Sequence, residues 1–299
     1  MPSTFKIEDH HMLLFTRTVE LLLQQRKSRF LEAVTHGSYQ GDKAQAVIQF
    51  GEVDMNAIAP GSAAGQWKGD TVWSEVEHHQ RWVFPSDFAL SLPLARQDQI
   101  RMMAAPNSPY VEAVHAAYNR KVDDLIIEAA TGDSKTGKYD DLISTPFPAG
   151  QTIDDGGEGL TIDKLIDAKE KLIAAGNDPA EERFFACSEK QLSDLLKSTA
   201  VQSADYNTVK ALVKGEVDTF VGFKFISTER LNKTPDSGDT TRHCLAWVKS
   251  GLHLGSWDEL NVQADVRPDK NYVWQIYARA TIGATRTQEK KIVCVDCLE

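Results

Sequence analysis

Residues 207–227 read NTVKALVKGEVDTFVGFKFIS and change from a helical to an extended pattern within a few positions. The segment NTVKALVK has apolar residues at helical spacing and ends at Gly215. The segment VDTFVGFKFIS is rich in Val, Phe and Ile and predicts a strand. A second strand, RHCLAWVK, follows the polar loop NKTPDSGDTT. The stretch therefore belongs to a compact unit of helices and strands.

The residues before this stretch have the same compact pattern from Thr161 onward. The segment IDKLIDAKEKLIAAG predicts a helix that ends at Gly176, and RFFAC predicts a short buried strand. Ser188 and Gln191 form an S-x-x-Q capping box at the start of the next helix, EKQLSDLLKS. This order of helices and strands predicts an α/β lobe.

Two segments near the start of the chain lie outside this lobe. Residues 11–36 have apolar residues at helical spacing and predict a helical arm, with the basic cluster Arg26, Lys27 and Arg29 on its solvated side. Residues 46–84 hold two extended stretches around the tip PGSAAGQWKGD and predict a long two-stranded ribbon. Because an isolated ribbon is only marginally stable in water, we expect its own domain or a neighbouring subunit to cover it.

A long helix and a β-rich end complete the pattern. Residues 109–131 predict a helix that has Ser108 as its N-cap and ends at Gly132. The segments DELNVQADVRPD and NYVWQIYARATIGATR alternate apolar and polar residues, as half-buried strands do. Their apolar sets are Leu260, Val262, Ala264 and Val266, then Tyr272, Trp274, Ile276, Ala278, Ala280 and Ile282. They predict an antiparallel sheet that the long helix covers on one face.

The composition excludes several classes of protein. The 299 residues are 41% hydrophobic and 25% charged, which argues against a disordered or fibrous chain. The net charge of −10 argues against a dedicated nucleic-acid binder, and the segment from Asp133 to Glu182 carries −7 of it. The longest apolar run has five residues, Cys244–Val248, whereas a bilayer span needs about 20. The first residues do not form a signal peptide, so we expect synthesis in the cytoplasm.

The phosphate-loop and histidine patterns do not support catalysis. Gly132–Lys138 reads G-x-x-x-x-G-K, but Tyr139 stands where a Ser or Thr would hold magnesium. The motif also follows the end of a helix, where the dipole is negative. The pairs His10-His11 and His78-His79 are adjacent residues, which chelate one ion poorly on a helix or a strand.

The metal-ligand patterns are equally incomplete. Cys294 and Cys297 form a C-x-x-C, but the second close pair of a structural zinc site is missing. Asp154, Asp155 and Glu158 lack the ligand order of a calcium loop. We therefore expect a protein that is not an enzyme and has no cofactor and no metal.

Taken in order, the arm, the ribbon, the long helix, the inserted lobe and the closing strands resemble the major capsid proteins of tailed bacteriophages, with the Hong Kong 97-like (Johnson) fold. The strongest match is Leu212–Val217, Gly222–Ser227 and Leu231, which looks like the family pattern G-x-v … G-f-x-i … s-x-x-l. Gly283–Arg286 with Lys291–Val295 is similar to the closing pair of strands. The supporting matches are Arg183–Ser188 followed by QLSDLL, and Arg120–Gly132, a helix with Asp123 and Asp124 that ends in Ala-Ala-Thr-Gly.

The resemblance covers nearly the whole chain and implies an α+β fold with four parts. These parts are an N-terminal arm (1–45), an extended β-ribbon loop (46–84), a peripheral domain (85–150 and 256–299) with a spine helix (109–131), and an inserted axial domain (151–255). The extended loop would lie across a neighbouring subunit.

The resemblance also implies a function. The chain would be a structural subunit that assembles with many copies of itself, as hexamers and pentamers, into an icosahedral head that encloses double-stranded DNA. Its partners would be a separate scaffold protein, a portal and decoration proteins, with no membrane, and its location would be the virion. The candidate subunit contacts are Gly61, Gly65, Trp67, Lys68, Trp73, Trp82 and Phe84, and Arg26, Lys27 and Arg29 would face inward. No motif identifies an asparagine partner for Lys68, so we predict no crosslink.

Two alternatives remain at this stage. One is the shell of a cellular nanocompartment with the same fold, which encloses an enzyme instead of a genome. The other, from a different class, is a metal-dependent hydrolase that uses His78, His79 and the Asp pairs.

Overall fold

The structure is a computed structural model that describes residues 24–50, 76, 78–94, 107–138, 141–197, 219–236 and 239–299. These residues form three α-helices, α1 (Asn107–Thr131), α2 (Ile162–Ala174) and α3 (Glu189–Lys197). Their strands are β1 (Thr35–Ser38), β2 (Ala44–Phe50), β3 (His78–Val83), β4 (Ser86–Leu94), β5 (Ser134–Lys138), β6 (Asp141–Thr145), β7 (Thr152–Ile153), β8 (Arg183–Cys187), β9 (Thr219–Phe220), β10 (Phe223–Ser227), β11 (Lys233–Asp236), β12 (Asp239–Val248), β13 (Leu252–Arg267), β14 (Val273–Arg286) and β15 (Ile292–Leu298). The predicted helix at 207–214 lies outside the described residues.

The first sheet has four strands in the order β1-β13-β14-β4. Strands β13 and β14 form a long antiparallel hairpin, and helix α1 packs against both. Ile276, Ala278, Ala280 and Ile282 alternate along β14 and are buried. The predicted antiparallel sheet under a long helix is therefore confirmed.

The second sheet has seven strands, in the order β7-β15-β12-β8-β10-β9 with β11 paired to β12. Helix α2 packs on β15 and β12, and it buries Leu165, Ala168 and Leu172 because these residues share one side of the helix. Trp247 of β12 is fully buried and stacks on Phe30, with ring centroids 5.6 Å apart. Burial of an aromatic side chain of this size contributes about 1.5–3 kcal/mol to folding.

One apolar core connects the two sheets. Phe30 from the segment before β1, Ile126 from α1, Trp247 from β12 and Ile282 from β14 belong to the same buried cluster. The indole Nε1 of Trp247 also donates to the carbonyl oxygen of Ala33 at 2.9 Å. The sheets are therefore packed against a common interior.

A third sheet, β2-β3-β5-β6, holds the described base of the predicted ribbon. Strands β2 and β3 pair antiparallel, as predicted, and β5 and β6 extend the sheet. The sequence G-x-x-x-x-G-K thus lies in a hairpin, and the structural context of a phosphate loop is absent there.

The division into domains stays a prediction, and the sheets differ from it in two places. Strand β15 was assigned to the peripheral domain, but it pairs with β12 and β7 of the second sheet, both of which were assigned to the axial domain. Strand β1, assigned to the arm, pairs in parallel with β13. The predicted helical arm over 11–36 is therefore wrong in its described part, because residues 24–34 contain only one 3-10 turn and Thr35–Ser38 are extended. Alternation along a strand shows which face is apolar, but it does not show which distant strand supplies the hydrogen bonds.

The predicted capping box is half confirmed. The backbone N–H of Gln191 donates to Ser188 Oγ at 3.4 Å, so Ser188 caps α3. The Gln191 side chain turns away from the cap, because its Oε1 accepts from the backbone N–H of Leu160 at 2.9 Å.

Candidate assembly surfaces

Residues 25–30, at the start of the described chain, are hydrogen-bonded to a buried carboxylate of the spine helix. Asp123 of α1 is fully buried and accepts from Ser28 Oγ at 2.5 Å and from the backbone N–H groups of Arg29 at 3.2 Å and Phe30 at 3.4 Å. The side chain of Gln25 also donates to it. These bonds satisfy a charge that would be costly to bury alone, and they determine where the arm leaves the body.

The predicted basic cluster is exposed beside this anchor. Arg26, Lys27 and Arg29 all have exposed side chains. The guanidinium of Arg29 donates to the carbonyl oxygen of Ser227, and Asn119 Nδ2 donates to that of Arg26 at 2.8 Å. The cluster therefore lies where the arm, α1 and β10 meet. Its inward orientation stays a prediction.

Two of the seven predicted subunit contacts lie in the described residues, at the base of the extended loop. Trp82 is only 8% exposed, and its Nε1 donates to the carbonyl oxygen of Gly137 at 2.8 Å. Strand β5 pairs with β3 beside Trp82, so the chain itself buries most of this side chain. We had expected a neighbouring subunit to bury it. Phe84 is 37% exposed and stays a candidate contact.

The close approach of Phe84 to β14 depends on a glycine. A Cβ at position 283 would lie 2.1 Å from the carbonyl oxygen of Phe84, far inside van der Waals contact. Gly61, Gly65, Trp67, Lys68 and Trp73 lie outside the described residues.

A buried ionic network holds the loop base to the body. Arg81 of β3 is 5% exposed, and its Nη2 lies 2.5 and 2.6 Å from the two carboxylate oxygens of Glu289. Its Nη1 donates to Ser134 Oγ at 2.5 Å. A single nitrogen of Arg81 thus contacts both oxygens of the carboxylate, and these hydrogen bonds are charge-assisted.

Arg286 of β14 completes this network at the end of the spine helix. Its Nη1 donates to the carbonyl oxygens of Ala130 at 3.0 Å and Gly132 at 2.7 Å, and its Nη2 donates to that of Thr145 at 3.1 Å. Burial lowers the pKa of Arg286, and the nearby charge of Glu289 opposes that effect. The guanidinium therefore caps the negative end of the helix dipole.

The end of the β13–β14 hairpin exposes aromatic residues. Tyr272 is 65% exposed, Trp274 38% and Tyr277 36%, and Val266 is 39% exposed on the paired strand. We refer to these four residues as the hairpin tip. Ala264, Val266, Tyr272 and Trp274 were predicted on the buried face, and that prediction was wrong because the described packing of α1 on the hairpin reaches Ile276 and stops before the tip.

An apolar groove lies between α1 and the first sheet. Phe88, Leu90, Val114 and Ala278 line it, and its volume is about 230 Å³. Burial, followed by the charge of Glu259, raises the pKa of Tyr118 on its wall. The groove and the hairpin tip are two apolar surfaces of this sheet that are open to solvent.

The glycine-rich loop at 154–159 binds a side chain of its own chain. Lys164 Nζ is enclosed by the carbonyl oxygens of Asp155 at 2.7 Å, Glu158 at 2.9 Å and Gly159 at 3.0 Å. The acidic side chains of this loop do not converge on a common point within the described residues. The ammonium group of Lys164 therefore occupies the carbonyl oxygens that a bound metal cation would need as ligands.

The four cysteines, which are scattered in the sequence, all lie buried in the second sheet as free thiols. Cys294 and Cys297 are three residues apart on β15, so they point to opposite faces and cannot share one ion. His78 and His79 are likewise neighbours on β3 and point apart. The C-x-x-C and the histidine pair are therefore not joint metal sites.

Among the described helices, none is long and apolar enough to cross a membrane.

Comparisons with known proteins agree with the fold. The sequence matches the family described as phage capsid protein over residues 7–299. No curated protein matches it. Similar solved structures include the capsid of cyanophage P-SCSP1u, which is 17% identical with a TM-score of 0.68 and covers 95% of this chain and 93% of that one.

Two further structures are similar at lower identity. The capsid of Ralstonia phage GP4 is 12% identical with a TM-score of 0.70, covering 96% of this chain and 94% of that chain. The capsid of cyanophage Pam1 is 12% identical with a TM-score of 0.70, covering 99% of both chains. Neither the nanocompartment shell nor the hydrolase is favoured by these matches. The chain belongs to the phage capsid protein family, has the Hong Kong 97-like capsid fold that its sequence resembles, and is a structural major capsid protein.

Proposed function

We propose that this protein builds an icosahedral phage head from hexamers and pentamers of itself, and that the head encloses double-stranded DNA. The observation that carries the proposal is the hairpin tip, together with the family match over residues 7–299. Tyr272 and Trp274 expose aromatic side chains at the end of the hairpin, and exposed aromatic residues are typical of a protein–protein contact. When such a contact is repeated around a closed shell, the total binding strength becomes high even though each single contact is weak.

The enclosed DNA requires little attraction from the wall. A chain with net charge −10 repels DNA over most of its surface, whereas Arg26, Lys27 and Arg29 form an exposed basic cluster. We assign this cluster to the inner face of the shell. The DNA is held by enclosure, after packaging through a portal.

The extended loop is the second proposed contact. Arg81 anchors the described base of the loop (46–84), and Phe84 together with Gly61, Gly65, Trp67, Lys68 and Trp73 would contact a neighbouring subunit. A separate scaffold protein would guide assembly, and decoration proteins would bind the finished shell. We assign synthesis to the host cytoplasm and the mature protein to the virion.

Electron microscopy of the purified full chain, alone and with a co-expressed scaffold, tests the proposal. We expect closed shells of uniform diameter, with nuclease-protected DNA in particles from infected cells. A chain that stays monomeric at every salt and scaffold condition would overturn the proposal. Shells that contain an enzyme in place of DNA would support the nanocompartment instead.

Deletion of residues 59–70 tests the loop separately. We expect the variant to fold, because the Arg81 network is retained, and to form shells that dissociate at lower denaturant concentration. Shells as stable as those of the unaltered protein would remove the loop from the subunit contacts.

A further inference from the structure

Three side chains of different chemistry converge on one face of the second sheet. His243 of β12 is paired directly with Asp296 of β15, and Cys294 lies two residues before Asp296. Directly paired residues and residues two apart point to the same face of an antiparallel sheet. The strand register therefore brings an imidazole, a carboxylate and a thiol together, although two of them are more than fifty residues from the third.

The distances show how closely the donor atoms approach. His243 Nδ1 lies 2.6 Å from Asp296 Oδ1, and Cys294 Sγ lies 3.4 Å from the same oxygen. All three donor atoms lie within 4.8 Å of one another. Metal–ligand distances of about 2.0–2.3 Å put tetrahedral ligand atoms about 3.3–3.6 Å apart. The sulfur–oxygen distance already fits, and the imidazole–carboxylate distance has to lengthen by less than about 1 Å.

A fourth residue orients the imidazole. Thr234 Oγ1 lies 2.7 Å from His243 Nε2, on the side of the ring that faces away from Asp296. Histidines that ligate a metal through one nitrogen donate from the other to a neighbouring oxygen. The ring is thus held with Nδ1 directed at the cluster.

The cluster is partly open. Cys294 is 4% exposed, whereas the side chains of His243 and Asp296 are 26% and 19% exposed. A bound ion would have its thiolate ligand in the protein interior and a water from solvent in its fourth position.

We propose that His243, Cys294 and Asp296 bind one Zn²⁺ ion, with a water molecule as its fourth ligand. One sulfur, one nitrogen and one oxygen ligand suit zinc, whereas calcium and magnesium prefer oxygen ligands alone. The ion would link β12 to β15, the strand nearest the end of the chain. The site does not depend on the proposed enclosure of DNA.

The protons balance without an oxidant or reductant. Zinc binding releases the thiol proton of Cys294 to solvent, and the sulfur ligates as a thiolate. Before binding, the neutral imidazole of His243 carries its proton on Nδ1 and donates it to the Asp296 carboxylate at 2.6 Å. On zinc binding this proton leaves Nδ1 to solvent and a solvent proton is taken up at Nε2, which then donates to Thr234 Oγ1 while the lone pair of Nδ1 ligates the ion. Asp296 is a carboxylate before and after binding.

Two matched cysteine variants of the full-length protein test the site. Cys294→Ser removes the proposed ligand, and Cys297→Ser changes a buried cysteine on the opposite face of the same strand. Zinc content after dialysis would be measured by elemental analysis, and Co²⁺ would serve as a spectroscopic probe, because thiolate coordination gives a charge-transfer band in the near ultraviolet. We expect one ion per chain and the cobalt band in the unaltered protein and in Cys297→Ser, with affinity at least about tenfold weaker and no band in Cys294→Ser.

His243→Asn gives a second test if Cys294→Ser does not fold. It changes a partly exposed ligand, and we expect it to lose the ion while its circular dichroism in the absence of metal is retained. Substoichiometric zinc in the unaltered protein would overturn the proposal. Zinc retained equally by Cys294→Ser and His243→Asn, or a cobalt band lost only in Cys297→Ser, would overturn it as well.

Discussion

Asp123 shows how a single side chain determines the position of a whole segment. Its carboxylate is fully buried in α1, and its partners are donors of the arm around Ser28 and Phe30. The next residue, Asp124, is half-exposed and forms an ion pair with Arg230. Adjacent residues of the same type therefore have different roles, because only one of them faces the arm.

Replacement of Asp123 by Asn tests this difference. The amide nitrogen cannot accept the arm hydrogen bonds, so we expect the free energy of unfolding to fall by about 1–3 kcal/mol. Hydrogen exchange of the backbone at 28–34 should also accelerate. The matched control Asp124→Asn loses a surface pair worth about 0.2–1 kcal/mol. Equal losses in urea denaturation of the two variants would contradict the anchor role.

His253 contributes to stability through its neutral form. Thr35 Oγ1 donates to the carbonyl oxygen of Leu252 at 2.8 Å, so it accepts from His253 Nδ1 at 2.9 Å. Nε2 then accepts from Tyr39 Oη at 2.7 Å. Burial, followed by the charge of His36, lowers the pKa of His253 below its ordinary value of 6.5.

The lowered pKa of His253 determines how the stability of the protein changes with pH. Because the folded protein disfavours the imidazolium, the contribution of His253 is complete above about pH 6.5 and is lost as the pH falls below it. We expect amide protection of Thr35–Ser38 to decrease between pH 7.5 and 5.5, measured by hydrogen exchange. In His253→Gln this pH step should disappear. Protection that rises on acidification would contradict the assignment.

At the scale of the element, the spine helix ends on a side chain from another strand. Thr131 is its last residue, and the carbonyl groups of its final turn accept from Arg286 of β14. The same guanidinium reaches Thr145 at the end of β6. One buried cation therefore joins the helix, the loop-base sheet and the long hairpin.

Replacement of Arg286 by Met removes this connection. The carbonyl groups and Glu289 lose a buried donor, and we expect the free energy of unfolding to fall by about 3–5 kcal/mol. The control is Arg279→Met on the same strand, where an exposed pair with Asp258 is worth less than about 1 kcal/mol. Chemical denaturation of both variants distinguishes them. Similar losses would mean that the burial of Arg286 is of no importance.

At the scale of the whole molecule, the hairpin tip and Phe84 are the surfaces of the described body that we propose for assembly. One core holds the arm, the spine helix and both sheets together. The aromatic residues at the tip lie beyond the reach of α1. The described body is thus complete as a folded unit, and the contacts left over are directed outward.

Replacement of Tyr272 by Ser separates folding from assembly. The side chain is 65% exposed, so we expect the stability of the monomer to change by no more than about 0.5 kcal/mol. The concentration needed for shell formation should rise at least about tenfold, which corresponds to about 1.4 kcal/mol per subunit contact. Light scattering measures this concentration. An equal rise in Ile166→Ser, on an exposed side of α2, would show that the effect is not specific to the tip.

Much of the fold follows from local patterns. The end of the spine helix at Thr131, the alternation of β14 from Ile276 to Ile282 and the N-cap at Ser188 depend on residues a few positions apart, and their prediction was confirmed. The predicted N-cap Ser108 was wrong, because the helix begins at Asn107. The burial of Trp82 and the exposure of Trp274 could not be predicted in the same way. Both depend on how far a neighbouring element extends over the strand. The alternation of residues within one strand carries no information about that neighbour.

The sequence by itself determined the family, the spine helix and the apolar face of β14 from Ile276 to Ile282, because these depend on residue type and short-range spacing. Only the tertiary structure decided that β15 joins the second sheet and that Asp123 accepts hydrogen bonds from the arm. It also decided that His243 lies beside Cys294 and Asp296. Each of these contacts joins residues that are distant in sequence. Their register is determined by packing over the whole core, and no short segment carries that information.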